Sequence, residues 1–373
     1  MDSLSETMHN LMMFYKDKSC LVTGAFGFVG GHVVDFLVKS GATVYALDID
    51  TREERPCLIN LKGLRDEVHI VDADITDKEV LENVIVDTRC SVIFHFAAAA
   101  TVVERAMSIP YGTILANTLG FVHVLEAVRK SRNKVYSVLF SSTDKVYGEA
   151  HELPYKENET PLRAIGLYDA AKMAADVLGR SYAEVFGVNV IIVRLCNLVG
   201  PYDFNIDFRL VPKSMQNIYR YGTPPELYFH SLEHWRDYLY IDDAVRAMLL
   251  LAREKKCHGE IYNMPGCRFA STPAMIQDIV RKICEIEERY DGGLADTIMK
   301  QGARIVMGDA KHVVIEKQNL SGEKIKDAVG FVPEIPFDEG LERTALFYRD
   351  YFMNRGKVQG VVETPLEVQQ SAM

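Results

Sequence analysis

Residues 20–38 read Cys20-Leu21-Val22-Thr23-Gly24-Ala25-Phe26-Gly27-Phe28-Val29-Gly30-Gly31-His32-Val33-Val34-Asp35-Phe36-Leu37-Val38. A short apolar run of strand type is followed by glycines at 24, 27 and 30, and then by an amphipathic run of helix type. Strand, glycine turn and helix, in that order, are what a dinucleotide site requires. Gly24 permits the tight turn, Gly27 lets the backbone approach a pyrophosphate, and Gly30 lets the helix pack closely on the strand. The helix N-terminus then offers free N–H groups to phosphates. A second strand, Thr43-Val44-Tyr45-Ala46-Leu47, ends at Asp48. A carboxylate there accepts hydrogen bonds from ribose hydroxyls and repels a 2′-phosphate, so NAD is expected rather than NADP. Arg52 and Arg55 lie nearby as the opposing signal.

Working outward, strand patterns recur near 19–23, 43–47, 68–71, 92–96, 136–141 and 189–194. Helical patterns fill the gaps, notably 28–40, 78–86, 111–131 and 167–186. This alternation predicts an α/β fold, a Rossmann-type doubly wound parallel sheet with helices on both faces. After Gly200-Pro201 the rhythm changes, and Pro, Gly and aromatic residues crowd 200–236. The expected organisation is an N-terminal extension over 1–16 and an NAD-binding domain over 17–200. A segment 237–261, with a helix at 242–253, is expected to pack back onto that domain on the strength of the resemblance drawn below. A smaller C-terminal α/β substrate-binding domain comprises 201–236 and 262–355, and a polar tail follows over 356–373.

The chemistry is concentrated in residues 141–172. Ser141-Ser142-Thr143-Asp144-Lys145 follows the fifth strand, and Tyr168-Asp169-Ala170-Ala171-Lys172 opens a helix. The Tyr-x-x-x-Lys spacing puts both side chains on one helix face. A nearby ammonium favours phenolate, so Lys172 is expected to lower the pKa of Tyr168 and fit it for proton exchange with a sugar hydroxyl. Thr143, at a strand end, can bond the same oxygen. Asp144 and Lys145 add a second acid–base pair, the plainer reading of which is a surface ion pair.

The net charge of −10 argues against a nucleic-acid binder, because phosphate contacts need a basic surface. Seven cysteines lack Cys-x-x-Cys spacing, and neither a secretory signal nor an 18-residue apolar run is visible. Reduced thiols in a cytoplasmic enzyme that contacts no membrane are expected. No His, Cys and carboxylate cluster has metal-ligand spacing, so no metal is expected. Cys196 is read as a small buried hydrophobe, and His230 and His234 as surface or structural residues.

Further segments carry a resemblance. They are Asp72-Ala73-Asp74-Ile75, Phe94-His95-Phe96-Ala97-Ala98, Asn117, Arg194-Leu195-Cys196-Asn197-Leu198-Val199-Gly200-Pro201, Trp235-Arg236-Asp237-Tyr238 and Ile261-Tyr262-Asn263-Met264. With the glycine turn and the Tyr-x-x-x-Lys pair, they make residues 17–350 resemble the extended short-chain dehydrogenase/reductase family, specifically its nucleotide-sugar epimerases and dehydratases. The resemblance implies NAD contacts from Gly24, Phe26, Gly27, Phe28, Val29, Gly30, Asp48, Asp74, Ile75, Phe96, Ala97, Ala98, Asn117, Ser141, Tyr168 and Lys172. It implies a catalytic set of Thr143, Asp144, Lys145, Tyr168 and Lys172. Asn197, Arg209, Arg236 and Asn263 are expected to grip a nucleotide diphosphate-sugar, arginine forks suiting phosphates. A homodimer is implied, paired through a four-helix bundle of 111–131 and 167–186.

Within the family the sequence is most similar to the NDP-hexose 4,6-dehydratases. Their Thr-Asp-Glu strand end is here Thr143-Asp144-Lys145, similar to the Asp-Lys variants among CDP-glucose and UDP-N-acetylglucosamine dehydratases. Lys145 serves either as the base that removes the C5 proton or as an electrostatic stabiliser of the developing enolate. A 4-epimerase or 4-dehydrogenase needs only Thr143, Tyr168, Lys172 and NAD. An NAD-binding scaffold without activity is the third reading, and the complete Thr, Tyr and Lys set weighs against it.

Overall fold

The computed structural model describes residues 3–100, 103–132, 134–150, 152–290, 303–307 and 315–354. The expected tail 356–373 lies outside them. Seven parallel strands form the main sheet: β1 (Ser19–Thr23), β2 (Thr43–Asp48), β3 (His69–Asp72), β4 (Val92–His95), β5 (Ser137–Thr143), β6 (Val190–Leu195) and β10 (Ile261–Met264). Their order, β3-β2-β1-β4-β5-β6-β10, reverses beside β1, and in such sheets ligands bind outside the carboxyl ends of the strands at the reversal. Thr23 pairs with Leu47 on one side and His95 on the other, and Thr143 with Leu195, so these strand ends share one edge.

Strands β1, β4, β5 and β6 are nearly continuous buried runs because both faces are covered, whereas β3, at the sheet edge, is partly exposed. One face carries α1 (Ser3–Tyr15), α2 (Phe28–Lys39) and α10 (Ile241–Arg253), whose apolar residues join β1, β4 and β6 in one core. The other carries α4 (Lys78–Thr88), α7 (Gly120–Lys130) and α8 (Leu167–Phe186), with Leu81, Ile85, Phe121, Leu125 and Ala175 in a second core. The extension is therefore an integral helix: Leu11 and Tyr15 are fully buried, and the Tyr15 hydroxyl donates to the Leu249 carbonyl of α10 at 2.8 Å.

The helix expected over 111–131 is composite. It runs as α6 (Pro110–Ile114), a π-helical turn (Leu115–Leu119) and α7. Pro at the first helical position sets its start. The wide turn buries Asn117, whose amide oxygen accepts from Ala99 N and whose amide nitrogen donates to Ala100 O, both at 2.9 Å.

A smaller three-stranded sheet orders β11-β9-β7, with β7 (Asn197–Val199), β9 (Trp235–Tyr240) and β11 (Arg268–Ser271). Helices α9 (Leu210–Tyr219), α11 (Thr272–Glu287) and the helix Phe337–Arg349 cover it through Met215, Ile218, Met275, Ile279, Leu341 and Tyr348. The boundaries read from the sequence shift accordingly. Residues 237–240 belong to the small sheet through β9, whereas 262–264 complete the main sheet through β10. Parallel pairing of Ile261 with Ile192 and Met264 with Leu195 holds them there.

Candidate active site

A cleft of about 1540 Å³ runs along the carboxyl edge of the main sheet and under the small sheet. Single small-molecule pockets span roughly 300–1,000 Å³, so this one has room for two ligands side by side. At one end β1 turns into α2. Gly24 has φ +70°, and a Cβ there would lie 2.7 Å from the Ala97 backbone nitrogen. A Cβ at Gly30 would strike the Gly24 carbonyl, so both positions exclude any side chain. Gly27 caps α2 with no side-chain hydrogen bond, leaving first-turn N–H groups for an anion. Phe26, Phe28 and Val29 line the same turn, and Asp74, Ile75, Phe96, Ala97, Ala98 and Ser141 continue the wall. This cradle fits a dinucleotide.

Asp48 is buried at the end of β2, where Oδ2 accepts from Phe26 N at 3.0 Å and so braces the glycine turn. The opposing arginines are both engaged. Arg55 donates to Asp48 Oδ1 at 3.0 Å and to the Asp50 carbonyl at 2.6 Å, while Arg52 pairs with Asp50 at 2.7 Å. Asn117, expected to contact the cofactor, instead sits beneath the wall, because both ends of its amide are spent on the backbone of Ala99 and Ala100.

Beside the glycine turn, β5 ends in a tight turn, Asp144–Tyr147. Thr143 caps it: Oγ1 accepts from Lys145 N at 3.3 Å and donates to Asp144 Oδ1 at 3.1 Å. Asp144 is buried, and its Oδ2 has no partner among the described residues. Burial pushes its pKa up to about 6, against the lowering effect of Lys145 and Arg236. The Lys145 ammonium lies 5.8 Å from the Tyr168 ring centroid. Tyr168 and Lys172 project from the first turns of α8, and Lys172 Nζ donates to the Ser141 carbonyl at 2.8 Å. The structure thus gathers Thr143, Asp144, Lys145, Tyr168 and Lys172 along one cleft wall.

One electrostatic expectation is corrected. Burial pushes the Tyr168 hydroxyl up rather than down, and the leading opposing charge is Arg209. Lys172 is spent on the Ser141 carbonyl, and its own pKa is lowered by burial to about 8. Behind the turn runs a buried network. Arg194 grips Asp176 through two bonds (2.9 and 3.1 Å), Ser142 Oγ donates to Asp176 Oδ2 at 3.0 Å, and Arg194 Nη1 donates to the Tyr147 hydroxyl at 2.7 Å. That hydroxyl donates to Asn263 Oδ1 at 2.7 Å, and Asn263 Nδ2 donates to the Tyr155 carbonyl. Asn263, expected on the substrate, is therefore a fully buried strut of this network, since its strand belongs to the main sheet.

Asn197, Arg209 and Arg236 line the cleft on the small-sheet side. Arg209 pairs with Asp203 at 3.1 Å, and the Arg236 guanidinium donates to the carbonyls of Ile315 (2.7 Å) and Glu316 (2.9 Å). Sequence reasoning missed several lining residues. Asp169, adjacent to Tyr168, is buried with Oδ1 unpartnered among the described residues, and burial raises its pKa against Lys145. Lys213, Tyr228, His230, His234 and Gln318 also line the cleft, in segments without a motif. Adjacency to Tyr168 is the signal that could have found Asp169; the others had none.

A model described as the NAD dependent epimerase/dehydratase family matches residues 20–264. The dTDP-glucose 4,6-dehydratase of Xanthomonas campestris pv. campestris is 28% identical over 354 residues, 92% of this chain and 95% of the relative. DesIV, a dTDP-glucose 4,6-dehydratase from Streptomyces venezuelae solved as a double mutant with NAD bound, has a TM-score of 0.74 at 26% identity. That match covers 91% of this chain and 98% of DesIV. UDP-glucose 4-epimerase of Thermus thermophilus, in complex with NAD, also gives 0.74, at 25% identity over 88% of this chain and 98% of its own. The span of the family match, together with a glycine cradle beside the Thr143, Tyr168 and Lys172 wall, establishes that the chain belongs to the NAD dependent epimerase/dehydratase family.

Proposed function

We infer that the chain is an NAD-dependent nucleotide-sugar 4,6-dehydratase that converts an NDP-hexose to an NDP-4-keto-6-deoxy sugar. NAD, held by Gly24, Gly27, Gly30 and Asp48, supplies the chemistry of accepting hydride at C4 and returning it at C6. Tyr168 takes the proton of the C4 hydroxyl, against the burial that disfavours its phenolate, with Thr143 bonded to the same oxygen. Arg209 is the leading charge that favours the ionised phenol. The C4 ketone acidifies the C5 proton, and Lys145 either removes it or stabilises the developing enolate. Asp144 gives its proton to the C6 hydroxyl, which leaves as water, and a proton then returns to C5.

The observation that carries this reading is Asp144. Epimerisation requires no acid beyond the Thr143, Tyr168 and Lys172 set, whereas expelling hydroxide does. A buried carboxyl with an unpartnered oxygen, held to about pKa 6, retains a proton well above the usual carboxylate range. The relatives named 4,6-dehydratase support the same reading. Arg209 and Arg236 are assigned to the diphosphate, and the chain is assigned to a cytoplasmic homodimer paired through 111–131 and 167–186. Incubating the protein with dTDP-, UDP-, CDP- and GDP-hexoses and weighing the products tests the reaction. Loss of one water from one of them is expected. A product of unchanged mass with inverted C4 establishes the 4-epimerase instead.

A further inference from the structure

The segment Ile315–Leu320 lies along the cleft as a strap, fastened at both sides. Gln318 N donates to the Trp235 carbonyl at 3.0 Å, Leu320 N donates to Asp237 Oδ2 at 3.4 Å, and the Tyr155 hydroxyl donates to the Lys317 carbonyl at 2.9 Å. Gln318 lines the cleft, yet it is only 1% exposed, and neither atom of its carboxamide has a hydrogen-bond partner among the described residues. A buried amide without partners opposes folding, because it gives up water and gains nothing. The dehydration steps use no group of this kind.

The strap lies where the diphosphate and sugar ends of the cleft meet. The Ile315 and Glu316 carbonyls hold Arg236, whose charge acts on Asp144. A carboxamide offers two donors and one acceptor, so the ligand group that satisfies it must both give and accept a hydrogen bond. A sugar hydroxyl does so. Of the hexose hydroxyls, C4 is assigned to Tyr168 and Thr143 and C6 to Asp144, which leaves those at C2 and C3. We propose that Gln318 is a specificity residue that reads the C2 or C3 hydroxyl of the hexose. The inference rests on the nucleotide-sugar reading given above and deepens it.

A site that hydrogen-bonds a hydroxyl rejects the analogue lacking it, because its own buried group is then left unpaired. The test compares wild type with Gln318→Leu and Gln318→Glu. The probes are the nucleotide glucose that the wild type dehydrates fastest and its 2-deoxy and 3-deoxy forms. Wild type is expected to prefer the parent over one deoxy form by about a hundredfold or more in kcat/KM. Gln318→Leu should lose most of that preference and Gln318→Glu retain part of it. Both should bind NAD and the bare nucleoside diphosphate as wild type does. Gln318→Leu should melt at the same temperature or higher, since it removes the unpaired amide. Wild-type selectivity in Gln318→Leu overturns the assignment and leaves the dehydratase reading standing. Absence of turnover with every nucleotide hexose overturns both.

Discussion

The catalytic role proposed for Asp144 is set against stability at one side chain. Its folded pKa of about 6 lies above the ordinary carboxylate value, so its proton contributes stability that is fully present below about pH 4 and is lost as pH rises through 6. Above that, ionising the buried group costs about 3 kcal/mol at most, two pKa units at 1.36 each. Asp144→Asn is therefore expected to raise the melting temperature at pH 8, to show little difference at pH 4, and to abolish dehydration. A variant that melts lower at both pH values contradicts the burial argument. Tyr168→Phe keeps the ring against Lys145 and should preserve NAD binding while cutting turnover by about 10²–10⁴-fold; near-normal turnover removes Tyr168 from the mechanism. The sequence made Thr143, Asp144, Lys145, Tyr168 and Lys172 visible because one strand end and one helical turn carry them all. At Asn117 and Asn263 motif position marked a polar residue without marking that its partners within the chain are backbone groups and a buried tyrosine. Gln318 was invisible, since only the folded chain brings 318 beside 235.

At the scale of elements, periodicity carried most of the information. The apolar stripe over 167–186 coincides with α8, and the six strand patterns fall within two residues of β1 to β6. Elements without strong local patterns escaped. Helix α1 was read only as an extension, yet it packs on α2 and α10, and its polar face hides how much it buries. The strands of the small sheet are three to six residues long, too short for alternation to register. The π-helical turn at 115–119 has no sequence signature at all; it is visible only through buried Asn117. Helix α1 yields a prediction. Leu11 is fully buried against the main core, so Leu11→Ala should destabilise the protein by roughly 2–5 kcal/mol through lost burial and a residual cavity. NAD affinity should be unchanged below the melting transition, because the cleft lies at the sheet's carboxyl edge. A shift in urea midpoint much smaller than this would mean that α1 is only loosely docked.

At the scale of the whole molecule, parallel strand order brings the glycine turn, the acid–base wall and the small sheet to one cleft, so every group assigned to the reaction comes from a single chain. Exposed apolar residues stand on the helices that border the cleft. Tyr111 is 74% exposed, Ile114 43%, Leu119 40% and Val177 50%, although α7 and α8 pack against one another. Exposed apolar residues gathered on neighbouring helices are what an interaction face would use. A second copy related by a two-fold axis would present the same two helices, giving the four-helix seam the sequence led us to expect. Val177 would separate such a seam from the chemistry. At about 100° per residue, nine positions carry it half a turn round α8 from Tyr168, so the active face points into the cleft while Val177 points away. Light scattering of the full chain at micromolar concentration should give twice the chain mass. Val177→Arg should shift it to the single-chain mass, because symmetry places the new charge twice in one seam, desolvated and unpaired. The monomeric variant should still bind NAD, with turnover reduced to the extent that the seam steadies α8 and its Tyr168 and Lys172. A wild-type protein of single-chain mass, or a Val177→Arg variant that remains paired, would show that this face does not join two copies.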